Sequence, residues 1–65
     1  MEIFVKEVRK SKNLTLSELS RRSEVSKSYI SYIENKKVIP TIYILCALAR
    51  ALEVNVCELF SCDNE

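Results

Sequence analysis

The sequence predicts an all-α domain of five short helices, and three observations predict it. Glycine is absent and proline occurs once, at Pro40, so the Gly-containing turns on which sheets and hairpins lean are missing. Helix-capping Ser, Thr and Asn residues stand just before apolar segments. Within those segments apolar residues recur every three or four positions instead of alternating. With 65 residues the chain makes one compact domain, with no room for a catalytic cleft beside a substrate domain.

Each helix has its own justification. The first, over 2–12, carries Val5 and Val8 on one face with Met1 and Phe4 beside them. The second, 16–23, opens on a capping box: Thr15 is the N-cap and Glu18 reaches back, while Leu14 and Leu19 form a hydrophobic staple. The third, 27–35, has Ser26 as its cap between Val25 and Ile30, and Ile30 and Ile33 share a face. The fourth, 42–52, starts at Thr41, because Pro40 blocks helical continuation backwards, and it aligns Leu45, Leu48, Ala49 and Leu52. The fifth, 56–61, follows Asn55, with Glu58 three residues on and Val54 facing Leu59. These apolar residues, with Leu14, Leu19, Val25, Val54, Leu59 and Phe60, are expected to form a single core. The domain is read as 1–61, with 62–65 a fraying tail.

Several functions are excluded at this level. The longest near-apolar run, 42–49, is far short of the roughly 20 residues that cross a bilayer. No charged-then-apolar leader opens the sequence, so the cytoplasm is the expected compartment. Without histidine no Ser/His/Asp triad is available, and no glycine-rich phosphate loop or convergent acid pair is present, so no enzyme is expected. Cys46, Cys57 and Cys62 cannot complete a four-ligand zinc site by themselves and match no metal spacing. No cofactor or metal is expected, and the cysteines read as small hydrophobes.

Charge is unevenly spread. Residues 1–37 carry nine Lys/Arg against five acids, net +4, whereas 38–65 carry Arg50 against four acids, net −3. A basic front half suits contact with phosphates. Within it, 16–35 holds two helices separated by only a few residues, which must cross steeply, with Ser20 small where they approach. Leu19, Val25, Ile30 and Ile33 hold that crossing, and the other face of the third helix presents Lys27, Ser28, Ser31 and Tyr32. A helix with a donor-rich first turn on a rigid two-helix mount is what insertion into a DNA groove requires.

The residues in question run from Val5, Val8, Arg9-Lys10, Leu14-Thr15 and Glu18-Leu19 through 25–31, Ile33-Glu34-Asn35 and Pro40. They continue with Leu45, Leu48-Ala49, Ala51-Leu52, Val54 and Glu58-Leu59-Phe60. This pattern resembles the helix-turn-helix of the Cro and lambda-repressor type, the XRE family, over nearly the whole chain. The resemblance implies a lambda-repressor-like DNA-binding domain whose helix-turn-helix occupies 16–35. It places Lys27, Ser28 and Tyr32 where side chains reach base edges, with Ser31 beside them. It places Thr15, Ser26 and Asn35 at phosphate-contacting positions, with Lys36 and Lys37 in the basic loop that follows. Tyr29 either reaches a phosphate through its hydroxyl or covers the core edge. Arg9 and Glu34 match a largely buried ion pair between the first and third helices. Three positions depart from the pattern: Leu16 stands where glutamine is usual, and Glu24 and Lys36 where glycine is frequent. The first loses a side-chain phosphate contact. A left-handed Glu24 would cost about 1–2 kcal/mol, and Lys36 adds positive charge.

The fourth helix has apolar residues to spare, since Tyr43, Cys46 and Ala47 lie away from Leu45, Leu48 and Leu52. Together with Phe60 they are expected to form a homodimer surface, suited to a palindromic operator. The implied function is a sequence-specific regulator of transcription, expected to repress, which binds double-stranded DNA by inserting helix 27–35 in the major groove. The alternative is an antitoxin-like or anti-repressor module that binds a protein partner mainly through helices 42–52 and 56–61.

Overall fold

A computed structural model describes residues 2–61; the expected fraying tail, 62–65, and Met1 lie outside the described residues. The elements are β1 (Glu2–Ile3), α1 (Val5–Ser11), α2 (Leu16–Ser23), α3 (Lys27–Glu34), α4 (Ile42–Leu52), a 3-10 turn (Val56–Glu58) and β2 (Phe60–Ser61). Four α-helices surround one core, and two short strands tie the two ends of the described chain together.

The caps act as their residue types dictate. Thr15 Oγ1 accepts from the Glu18 N–H at 3.1 Å while the Thr15 N–H donates to Glu18 Oε1 at 2.9 Å, a complete capping box. Ser26 Oγ accepts from the Tyr29 N–H at 3.1 Å, and Thr41 Oγ1 from the Ile44 N–H at 3.2 Å. These starts coincide with the expected starts of the second, third and fourth helices.

Both ends of the chain differ from expectation. The first helix begins at Val5, not at residue 2, and 56–61 is a 3-10 turn followed by a strand, so the five-helix all-α count is corrected to four α-helices with a small β-element. The cause is non-local: β1 and β2 pair antiparallel, with Glu2 opposite Ser61 and Ile3 opposite Phe60. The Phe4 N–H then donates to the Leu59 carbonyl at 2.7 Å. At Asn55 only half of the capping box forms. The Asn55 N–H donates to Glu58 Oε2 at 3.4 Å, but the Glu58 N–H goes to the Asn55 backbone carbonyl at 2.9 Å, the tighter 3-10 pattern. Asn55 makes no side-chain cap bond.

Helix ends show what the absence of glycine imposes. Asn13, Glu24, Lys36 and Glu53 all have positive φ, between 59° and 63°. Three of them close Schellman motifs: Leu14 N–H to Arg9 O at 3.2 Å, Lys37 N–H to Tyr32 O at 2.8 Å and Val54 N–H to Ala49 O at 3.0 Å. A left-handed non-glycine residue costs about 1–2 kcal/mol, less for asparagine. At Glu24 two serines brace the turn. Ser20 Oγ donates to the Val25 carbonyl at 2.7 Å, and Ser23 Oγ donates to Leu19 O at 2.7 Å while accepting the Val25 N–H at 3.2 Å.

The core is Val5, Leu19, Val25, Ile30, Ile33, Leu45, Leu48, Ala49, Leu52 and Leu59, with Val8, Leu14, Val54 and Phe60 half-buried against it. All were expected there. Ile3, Leu16, Val38 and Val56 pack against it as well and were not expected to do so.

Candidate nucleic-acid interface

The site is built on α3. Ile30 and Ile33 are buried in the core, which fixes the rotation of the helix about its axis. Lys27, Ser28, Ser31 and Tyr32 therefore fall together on the outer face, linked by pairs three and four residues apart that share a helix side. Lys27, Ser28 and Tyr32 are exposed, Tyr32 by 51%, and Ser31 is half-buried. All four line one open cleft of about 440 Å³, and its fifth lining residue is Leu16, on the first turn of α2.

The mount behind this face is rigid for an identifiable reason. Arg9 Nε and Nη2 donate to Glu34 Oε2 and Oε1 at 2.8 and 3.1 Å, and Nη1 donates to the Leu14 carbonyl at 2.8 Å. The side chains are only 11% and 5% exposed. Bidentate geometry between α1 and the last turn of α3 sets the direction of α3 as well as its distance. Among the described residues no buried side-chain polar atom lacks a partner.

The expected phosphate-facing residues fall into two groups. Thr15, Ser26, Asn35, Lys36 and Lys37 are exposed. Thr15 and Ser26 are the N-caps of α2 and α3, and the first residues of both helices, Leu16 and Lys27, line the same cleft, so two helix N-termini with their partly positive N–H groups border it. Asn35 ends α3 and donates through Nδ2 to Ser31 Oγ at 3.3 Å. Lys36 and Lys37 follow it, with Lys36 in the left-handed conformation. Tyr29 differs from these: it is half-buried and packs against the core. Beside Thr15, the Glu18 carboxyl is held below the ordinary carboxylate range, first by the Thr15 backbone N–H and then by the Thr15 side chain, Arg21 and Arg22.

The expected pairing residues are not equally available. Tyr43 is 84% exposed and Cys46 is exposed, whereas Ala47 and Phe60 are half-buried against the core and Phe60 is also paired with Ile3. Sequence reading missed Ile39, 80% exposed, and Ile42, also exposed. It also missed Leu16 as a member of this cleft; its only signal was an apolar side chain where a polar one is usual.

Known proteins share this sequence pattern. The helix-turn-helix family model matches residues 5–59 of the chain. The HTH-type transcriptional regulator SinR of Bacillus licheniformis is 39% identical over 62 residues, which are 94% of this chain. The chain spans 56% of the length of that relative.

Proposed function

The chain belongs to the helix-turn-helix family of the Cro and lambda-repressor (XRE) type, and from this we propose that it regulates transcription by binding double-stranded DNA sequence-specifically, with α3 in the major groove. One observation carries the reading: Lys27, Ser28, Ser31 and Tyr32 converge on one open cleft while the opposite side of α3 is locked in the core. Lys27, Ser28, Ser31 and Tyr32 meet base edges there, and Thr15, Ser26, Asn35, Lys36 and Lys37 meet phosphates on either side. Tyr29 contributes to the core edge. Repression is the proposed output, because occupying an operator in the cytoplasm excludes competing proteins without any further contact.

A single α3 reads few base pairs, so a homodimer on a palindromic operator is proposed. The supporting feature is the exposed apolar stripe of α4, in which Cys46 follows Ile42 by four residues and Tyr43 by three, with Ile39 exposed in the connection before the helix. Ala47 and Phe60 would border this surface. The same stripe favours a second reading, a protein-binding module acting through α4 and the 56–61 segment, the latter being a turn and strand, not a helix.

Salt dependence separates the two. In anisotropy titrations with duplex DNA, Lys36→Ala or Lys37→Ala is expected to weaken all sequences alike and make the log–log salt slope shallower by about 0.9 per lost phosphate contact. Failure to bind any duplex, or binding insensitive to salt, would favour the protein-binding reading.

A further inference from the structure

The cleft on the reading face is not uniformly polar. Lys27, Ser28 and Ser31 line it with an ammonium group and two hydroxyls, whereas Leu16 and the Tyr32 ring supply apolar surface. Leu16 cannot leave this position. It is the first residue of α2, its backbone is fixed by the Thr15–Glu18 capping box, and its side chain is half-buried against the core. A leucine that lines the same cleft as a tyrosine ring offers no hydrogen bond to a phosphate. It offers a dry contact.

Among the major-groove edges of the four bases, only thymine presents a methyl group, beside an O4 acceptor. We propose that Leu16, with Tyr32, is a specificity determinant that takes up the C5-methyl of a thymine, while the donors around it face the neighbouring polar edges. The proposal rests on the DNA-binding reading above and deepens it. It assigns a base-reading role to α2, outside the recognition helix, and it names the chemistry read as a methyl group rather than a hydrogen-bonding edge.

The experiment removes that methyl and nothing else. A tight-binding duplex is selected from a random pool, and each thymine is replaced in turn by deoxyuridine, which keeps every hydrogen-bonding group. Wild-type protein is expected to lose affinity about three- to fivefold at one thymine per half-site, the effect of one buried methyl. In Leu16→Ala and Leu16→Gln that thymine-to-deoxyuridine ratio is expected to fall to near one, while Leu16→Met retains most of it. The ratio is taken within each protein, so a variant with reduced stability still reports. Specific binding with no methyl-sensitive thymine, or a ratio unchanged in both Leu16→Ala and Leu16→Gln, overturns the proposal and leaves DNA binding standing. Absence of binding to any duplex overturns the DNA reading, and this proposal with it.

Discussion

Truncating Glu34 to alanine perturbs the domain at its most consequential polar contact. The substitution removes both carboxylate acceptors of Arg9 and leaves only the Leu14 carbonyl, 2.8 Å from Nη1. The guanidinium cannot turn to water, because the Arg9 side chain is 11% exposed and anchored in α1. An uncompensated buried charge of this kind costs about 3–5 kcal/mol. A domain of this size has roughly 3–10 kcal/mol of total stability, and each lost kcal/mol lowers Tm by about 4–8 °C. Glu34→Ala is therefore expected to lower Tm by at least about 12 °C, measured by circular dichroism. A volume-matched apolar pair, Arg9→Met with Glu34→Leu, is expected to recover most of that loss, because it leaves no charge unpaired. A Glu34→Ala protein that melts within about 2 °C of wild type would show that the pair does not anchor α3.

Three further outcomes follow from particular residues. Glu24→Gly and Glu53→Gly each relieve a left-handed non-glycine residue, and after the entropic cost of glycine a gain of about 0.5–1 kcal/mol is expected; an unchanged or lower Tm in both would show that these turns are unstrained. Glu18 has a lowered folded-state pKa, so its contribution is present above the unfolded carboxylate value and is lost as pH falls through the folded one; Glu18→Gln should flatten the fall in Tm across that acidic window, and an unaltered profile would refute it. Tyr43→Glu places charge on the exposed apolar stripe and is expected to yield helical monomers with weakened operator binding; a wild-type protein that sediments as a monomer at micromolar concentration, and stays so on half-site DNA, removes the proposed interface.

What was legible in the sequence was local. Thr15, Ser26 and Thr41 mark helix starts because a cap acts within three residues of itself, and the three- and four-residue spacing of Leu45, Leu48, Ala49 and Leu52 follows from helix geometry alone. The β1–β2 pairing was not legible, since two-residue strands nearly sixty positions apart leave no local pattern and their residues also suit a helix. For the same reason Asn55 and Glu58 read as a helix start although only part of that box forms. In the α3 cleft, Lys27, Ser28, Ser31 and Tyr32 could be placed by helical phase and by family resemblance. Leu16 could not, because the resemblance put it where a phosphate contact is usual and an apolar side chain there read only as a lost contact. Ile39 escaped notice because it sits in a connection that helical periodicity does not describe.

Whether α3 reads bases is decided by selecting bound duplexes from a random pool with wild-type protein and with Tyr32→Ala, at one fixed salt concentration. The expected result is a short enriched sequence for wild type, and for Tyr32→Ala the same sequence with preference relaxed at one or two positions. Contradiction would take one of two forms: no enriched sequence at all, or a Tyr32→Ala protein that weakens on every sequence equally while its preferences stay intact.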